Sequence, residues 1–511
     1  MAAKARSRRT KAGRTERGRA ARKAEPGDTL RIAVTFPRSD GHAGVVHAPE
    51  RLGVSTVGTF RPSEPERELA LEHLERLGFR VTVRGQLSVS VRGSRELFER
   101  TFGTHLSPAR VSSQMNAVPQ ADSVLYPMAG AAWAPDAVLA ALIDDAYIQW
   151  PHLYFNRRFV PPPSPLPPRV AGHHLRVPGD VSLLLNVDRV HRAGITGKGV
   201  QVAMIDSGFA HGHGYFVERD YSTSTLLAPG ATRTDLDGNG HGTGESANLL
   251  AVAPDVTFFG VKLDNETDPN LGASVLEGFQ EALRHSPQVI SVSLGYDLCP
   301  ADPATGRRTS NDHLTSLPNG LKALEAEIQA AVADGIVVVF SAGNGHVAFP
   351  GMMPEVLSAG GVFVAEDGQM CASDYASAFA SRIYPGRHVP DFCGLVGEAA
   401  NGAAYIMLPV PTGSELDRLG DGTAGEGWGV FSGTSAAAPQ LAGVCALLMS
   451  ANPGLTASDL KSVLRASARD VVLGAANAAS NEDRGGMPAG TGADGATGAG
   501  LVDAFAAWRL V

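Results

Sequence analysis

Two rhythms of apolar residues divide this chain. In its first third, apolar positions alternate with polar ones or recur at helical spacing. Residues 29–36 read as a strand, and residues 63–77 as an amphipathic helix with Ser63 as N-cap, acidic residues in the first turn and Gly78 as its stop. Residues 80–84 and 87–91 alternate as two strands across an Arg-Gly turn, residues 94–102 form a second short helix, and residues 137–143 add an apolar segment. The pattern predicts a small α+β unit. From Asp180 the rhythm changes to unbroken apolar runs at residues 200–205, 256–261, 289–294, 336–341 and 356–363, with helical patterns at residues 273–285 and 321–334 between some of them. Buried apolar strands alternating with helices predict a parallel sheet covered on both faces. Residues 474–500 are rich in Gly and Ala and read as a loop.

One stretch departs from both rhythms. GVFSGTSAAAPQLAGVCALLMS (429–450) runs from a short strand through Ser432 and Gly433 into a long Ala/Leu/Val helix. It places the Ser435 hydroxyl at a helix mouth, where unpaired N–H groups favour developing negative charge. Pro439 is expected in the first turn, where a missing N–H costs little.

Composition narrows the picture without deciding it. The chain has 511 residues, 43% hydrophobic and 19% charged, which suits a globular protein of two or more units. A net charge of −8 argues against a general nucleic-acid binder. Cys299, Cys371, Cys393 and Cys445 show no metal-ligand or disulfide spacing. No apolar run is expected to reach the ~18 residues of a membrane span. Residues 1–27 are strongly basic and lack an apolar core, so they read as a solvated tail and not as a secretory signal, and a cytoplasmic location is expected, with secretion as the alternative. The proline run FVPPPSPLPPRV (159–170) favours extended polyproline II and marks the best boundary. The expected division is a tail at 1–27, an α+β unit at 28–158, a linker at 159–179 and an α/β unit at 180–511.

Four motifs carry chemistry. VQVAMIDSG (200–208) ends an apolar strand on Asp206, and strand ends are where parallel sheets place their chemistry. GNGHGTGESA (238–247) sets His241 among glycines at a helix start, SAGNG (341–345) sets Asn344 after a strand, and SGTSAAAP (432–439) holds Ser435. Each alone has a bland reading as cap, loop or turn. In this order they resemble the subtilisin-like serine proteases, or subtilases, and the resemblance runs from about Asp180 to the C-terminus. It implies a subtilisin-like α/β fold and a Ser/His/Asp peptidase. Ser435 is then the nucleophile, His241 its base and Asp206 the residue that orients the base. Asn344 is an oxyanion donor, and Ser293, Leu294, Gly295, Gly272, Ser341, Gly343 and Ala348 are the substrate contacts. Ala348, before FPG, replaces a common Gly at the pocket floor.

A second resemblance lies upstream. LEHLERLGFRVTVRGQLSVSVRGSRELFERTFGTHL (71–106) is similar to the activation prosegment of sedolisin/kumamolisin peptidases. It implies an intramolecular inhibitor and self-cleavage between Phe155 and Val177. Glu245, one helical turn from His241, departs from the subtilase pattern, and sedolisins use a Glu on that helix as base. Glu245 is read here as an electrostatic neighbour or solvated residue, and His241 as the base, with activity rising near the reference pKa of ~6.5. No cofactor is required. A structural calcium stays open: Asp235, Asp237 and Asn239 have the opening spacing of a calcium loop without its closing Glu, and Asp470 and Asp494 are the other candidates. His211 and His213 read as loop residues. The partners expected are polypeptide substrates, and the rival functions are an inactive peptide-binding pseudoprotease, a sedolisin-like acid peptidase and a tethering protein acting through its basic tail.

Overall fold

The computed structural model describes residues 29–48, 52–111, 122–127, 133–150, 152, 174–299, 314–365, 367–374, 376–398, 405–418, 425, 427–479 and 486–511. The basic tail and the proline run lie outside them. Two principal sheets organise the rest. The first has four strands, β1 (Thr29–Thr35), β2 (Arg80–Arg84), β3 (Ser88–Ser94) and β4 (Asp145–Ile148), in the order β2-β3-β1-β4. Helices α1 (Glu64–Leu77) and α2 (Arg95–Phe102) lie on it. The period of two decides what each face does. Ile32 pairs with Val91 and Val34 with Val89, and these four join Leu71, Leu74, Phe98 and Phe102 in one core. The alternate positions of β3, Ser88, Ser90 and Arg92, are buried too, against the second unit.

The second sheet has ten strands: β5 (Gln201–Asp206), β6 (Thr223–Leu227), β7 (Thr257–Lys262), β8 (Val289–Val292), β9 (Val337–Ser341), β10 (Leu357–Val364), β11 (Met370–Ala372), β12 (Phe392–Leu395), β13 (Leu473–Asn477) and β14 (Gly486–Pro488). The order is β14-β13-β11-β10-β9-β8-β5-β7-β6, with β12 also on β10. From β6 to β10 all pairings are parallel. The β10–β11 and β13–β14 pairs are antiparallel. Helices α3 (His241–Val252), α4 (Val275–Leu283), α5 (Asn319–Ala333) and α6 (Thr434–Ala451) cover it, as the alternating pattern requires.

Three expectations need correction. The segment expected as a loop contains the β13–β14 hairpin. Its Gly and Ala side chains carry no β signal, and the backbone makes the pairing. Helix α6 has 18 residues of mean hydropathy 1.3, long and apolar enough to cross a membrane, yet 89% of that window is buried inside the protein. Its apolar character all round is that of a core helix. Pro439 is the sixth residue of α6, beyond the first turn.

The two sheets meet through buried polar contacts. Arg92 donates to the carbonyls of Pro229, Leu271 and Gly272 and pairs with the buried carboxylate of Glu277 on α4 at 3.2 Å. Glu327 on α5 reaches into the β2–β3 turn and accepts from the N–H groups of Gln86, Leu87 and Ser88 and from the Ser88 hydroxyl, at 2.8–3.0 Å. A side chain on Gly85 would lie 2.1 Å from Glu327 Oε1, so only Gly fits there. Burial pushes the Glu327 carboxyl above the usual carboxylate range, against the pull of its donors. Replacing it by Ala strands four donors, each costing about 1–3 kcal/mol if left unpaired. Glu327→Ala is expected to loosen the N-terminal sheet, seen as faster proteolytic cutting within residues 29–150 with the second unit unaffected. An unchanged digestion time course would show that the carboxylate does not hold the two together.

Candidate active site

Strand β5 ends on Asp206, and α3 begins with His241 directly above it. His241 Nδ1–H donates to Asp206 Oδ1 at 2.8 Å, and the N–H of Ser207 donates to the same oxygen at 2.7 Å. Both side chains are fully buried. The junction is tied by a residue expected only as a calcium candidate. Asp237 accepts from the Ser207 hydroxyl and Gly240 N–H through Oδ1, and from the Thr243 N–H and hydroxyl through Oδ2, at 2.7–2.9 Å. The Ser207 hydroxyl in turn accepts from Gly242 N–H at 3.0 Å. One buried carboxylate thus laces the residue after Asp206 to the first turn of the His241 helix. Lys262, level with Asp206 on β7, donates to the carbonyls of Arg233 and Leu236 and pairs with Glu266, so the loop leading to Asp237 is pinned as well.

Helices α3 and α6 run the same way. Gln440 meets Asn248, and Gly443 packs on Val252 three and four residues further along. Their N-terminal ends therefore lie together, and the ring of Phe431, four residues before Ser435, lies 6.0 Å from that of His241. Ser435 is 3% exposed. Its hydroxyl donates to the Ser293 carbonyl at 3.2 Å, and the Ser293 hydroxyl donates to the Ser435 carbonyl at 2.9 Å. The position of Pro439 explains this exchange. Proline has no N–H to give the carbonyl four residues back, so the Ser435 carbonyl is released from the helix ladder. Ser293 takes the vacated bond.

Asn344 joins the same cluster. Its Oδ1 accepts from the N–H of Thr434 at 2.9 Å and from the Thr434 hydroxyl at 3.0 Å. Its Nδ2 lies 2.9 Å from where a side chain on Gly433 would begin, so Gly433 is what lets the amide approach the backbone at the start of α6. Gly343 N–H donates to the Thr434 hydroxyl, and Ala348 lies over Gly343. Ser341 closes β9, while Gly295 backs onto the Phe349 carbonyl. The Leu294 side chain packs into the core. The Gly272 carbonyl accepts from Arg31 and Arg92 of the N-terminal sheet.

The other candidates make contacts within the fold. Asp235 pairs with Arg233, and Asn239 accepts from the N–H of His241 while donating to Glu415, so with Asp237 spent the 235–239 stretch does not fit a calcium ion. Asp494 accepts backbone N–H groups from Gly490, Ala496 and Thr497, and Asp470 one from Gly492. Among the described residues, no three His, Cys, Asp or Glu side chains gather as a metal group. His211 is half-buried against Phe209, Phe216 and Phe258, and desolvation there pulls its pKa down to about 4, while His213 caps a short helix. The four cysteines are free thiols, three of them buried. Glu245 corrects the reading of a solvated residue, for it is fully buried.

Sequence reasoning missed the lacing role of Asp237. Its signal was a carboxylate four residues before His241, but the calcium-loop spacing claimed it. Removing that carboxylate strands four buried donors, an expected loss on the order of 3 kcal/mol or more. Asp237→Ala should lower the urea midpoint accordingly and speed hydrogen exchange at Gly240, Gly242 and Thr243. Unchanged protection of those amides would refute the lacing role.

Comparisons with known proteins bear on the family of the chain. The family model described as the subtilase family matches residues 197–500. Subtilisin E of Bacillus subtilis (strain 168) is 26% identical over 301 residues, 55% of this chain and 63% of that protein. Serine protease AprX of the same organism is 28% identical over 300 residues, 53% of this chain and 61% of that protein. The chain thus spans less than two thirds of the length of these relatives. A crystal structure described as that of a lanthipeptide protease aligns at TM-score 0.47 and 22% identity, over 65% of this chain and 94% of that one. With a family match over more than half its length, and the four motifs assembled at one end of two buried helices, this chain belongs to the subtilase family.

Proposed function

We propose that the chain is a serine endopeptidase. The observation that carries this reading is the buried Asp206–His241 pair, at the same end of the α3–α6 helix pair as Ser435. In it, His241 takes the proton of Ser435 as the hydroxyl attacks a peptide carbonyl. Asp206 fixes the imidazole with its Nδ1 protonated and its Nε2 basic, and stabilises the cation that forms. Asn344 and the N–H of Ser435 then receive the oxyanion. The amide of Asn344 is suited to this because Thr434 occupies its oxygen, which turns the NH2 group toward Gly433. An extended peptide would lie along the backbone of Ser293–Gly295, a pairing of main-chain groups that leaves selectivity to side-chain pockets.

The N-terminal sheet acts, in this reading, as a prosegment and intramolecular inhibitor. Its docking through Arg92 and Glu327 supports it, as does the capture of the Gly272 carbonyl by Arg31 and Arg92. The cut falls between Phe155 and Val177, a stretch lying mostly outside the described residues. High effective concentration then makes cleavage of its own linker favourable.

Two outcomes are expected. A fluorophosphonate should label Ser435, and N-terminal sequencing should find a cut in residues 155–177 of the wild type that is absent in Ser435→Ala. Failure to label a folded protein would leave an inactive peptide-binding relative as the better reading, and an active protein that stays full-length would make the N-terminal sheet a permanent part. Asn344→Ala should lower kcat by roughly 100- to 1,000-fold with little change in KM, a range that comes from subtilisin itself. A loss in KM alone would remove Asn344 from the oxyanion site.

A further inference from the structure

The mechanism above uses one carboxylate beside His241, and the structure holds two. Glu245 lies one helical turn on, its Oε1 3.9 Å from His241 Nε2. Its side chain is fully buried, and Oε1 has no hydrogen-bond partner among the described residues. Its other oxygen is held by a chain of amides that crosses to α6 and the central sheet. Asn248 Nδ2 donates to Glu245 Oε2 at 2.8 Å, and Gln440 Nε2 donates to Asn248 Oδ1 at 3.4 Å. Gln440 is itself fixed by both backbone groups of Leu395 on β12. Each amide orients the next, so the carboxyl cannot swing away from the imidazole. The imidazole therefore has a carboxyl group at each nitrogen, Asp206 at Nδ1 and Glu245 at Nε2.

We propose that Glu245 is a positioning residue that sets the pH at which His241 becomes a base. It stabilises the imidazolium from the Nε2 side, so the neutral form needed to deprotonate Ser435 appears only at higher pH than Asp206 alone would impose. This rests on the reading of His241 as the base. The surroundings favour it. Burial by itself favours a neutral His241, but Asp206, with Glu245 and Asp237 adding to it, raises the imidazole to about 9. Burial raises Glu245 to about 8, while His241 and Asn248 pull it back. Of the other described groups, Asp237 adds a smaller pull of the same sign while held at the strand–helix junction, and the rest are neutral or paired. His211, which contacts Ser246 across α3, is held neutral by burial. Lys262 is taken up by two carbonyls and Glu266. The α6 face offers the uncharged Gln440, and the adjoining strand offers Phe431. A carboxylate within ~4–6 Å shifts an ionisable partner by about one to three pH units.

The test is the pH dependence of fluorophosphonate labelling at Ser435, run beside peptide hydrolysis, for wild type, Glu245→Gln and His241→Ala. The wild-type midpoint should lie above the reference imidazole value of ~6.5. Glu245→Gln should lower it by about one to three pH units with KM unchanged. A purely structural role would change KM or stability and leave the midpoint in place, and a midpoint unmoved in an active Glu245→Gln overturns the proposal alone. If that variant fails to fold, Asn248→Ala keeps the carboxyl but releases its Oε2, and should shift the midpoint the same way by less. A folded Asn248→Ala with the wild-type midpoint is equally fatal. Labelling that survives His241→Ala, or a wild type inert at every pH, overturns the underlying base or nucleophile assignment and this proposal with it.

Discussion

The close packing of two wholly buried helices is the constraint on which this structure turns. Every residue of α3, and all but the last two of α6, is buried, and the pair run the same way. Such an arrangement puts both N-terminal ends, with His241 and Ser435, at one edge of the sheet. It also gives both residues backbone N–H groups without intrahelical partners, a setting that favours negative charge. The sheet then needs only to end β5 at that edge for Asp206 to meet His241. The helices can approach because a small residue lies between them: Gly443 against Val252 and the Leu249 carbonyl.

Buried polar groups in this protein are paired in ways that carry geometry as well as stability. Pro439 removes one helix bond and thereby offers a carbonyl to Ser293, whose own carbonyl holds the Ser435 hydroxyl. Asp237 spends both oxygens on the strand–helix junction. Arg92 and Glu327 do the same between the two units, one donating from the N-terminal side and the other accepting from α5. A buried carboxylate or guanidinium left unpaired is costly, so each of these contacts can be satisfied in only one arrangement of its partners.

Much of this was legible in the chain. The apolar runs located β5, β7, β8, β9 and β10 to within a few residues, because strands buried on both faces must be apolar throughout. The alternation around residues 80–91 likewise revealed β2 and β3, while β4 (Asp145–Ile148) went unseen. Asp206, His241, Asn344 and Ser435 were singled out by motif order. What escaped depended on partners distant in sequence. Ser88, Ser90 and Arg92 look like the solvated face of a strand, yet they are buried because α4 and α5 carry Glu277, Gln280 and Glu327 to meet them. The β13–β14 hairpin escaped because Gly and Ala bring no side-chain signal. Glu245 escaped because a carboxylate on a helix is ordinarily exposed, and only the all-round burial of α3 denies it water.

Burying that second carboxyl links fold stability to chemistry. A His raised above its unfolded value stabilises the fold below the ordinary ~6.5 and loses that contribution as pH climbs toward about 9. A Glu raised from the ordinary carboxylate range to about 8 works in the same direction. Between those values the unfolded chain has given up its proton while the folded one retains it, so stability again falls as pH rises. Both groups therefore favour the folded state most where the imidazole is protonated and unable to act as a base. Rising pH makes His241 basic and at the same time withdraws stability from the helix that positions it. The amide chain through Asn248 and Gln440 to Leu395 counters this by tying the carboxyl to the central sheet, whose packing does not titrate. The pairing of a fixed scaffold with a titrating centre explains why a polar chain runs through an otherwise apolar helix interface.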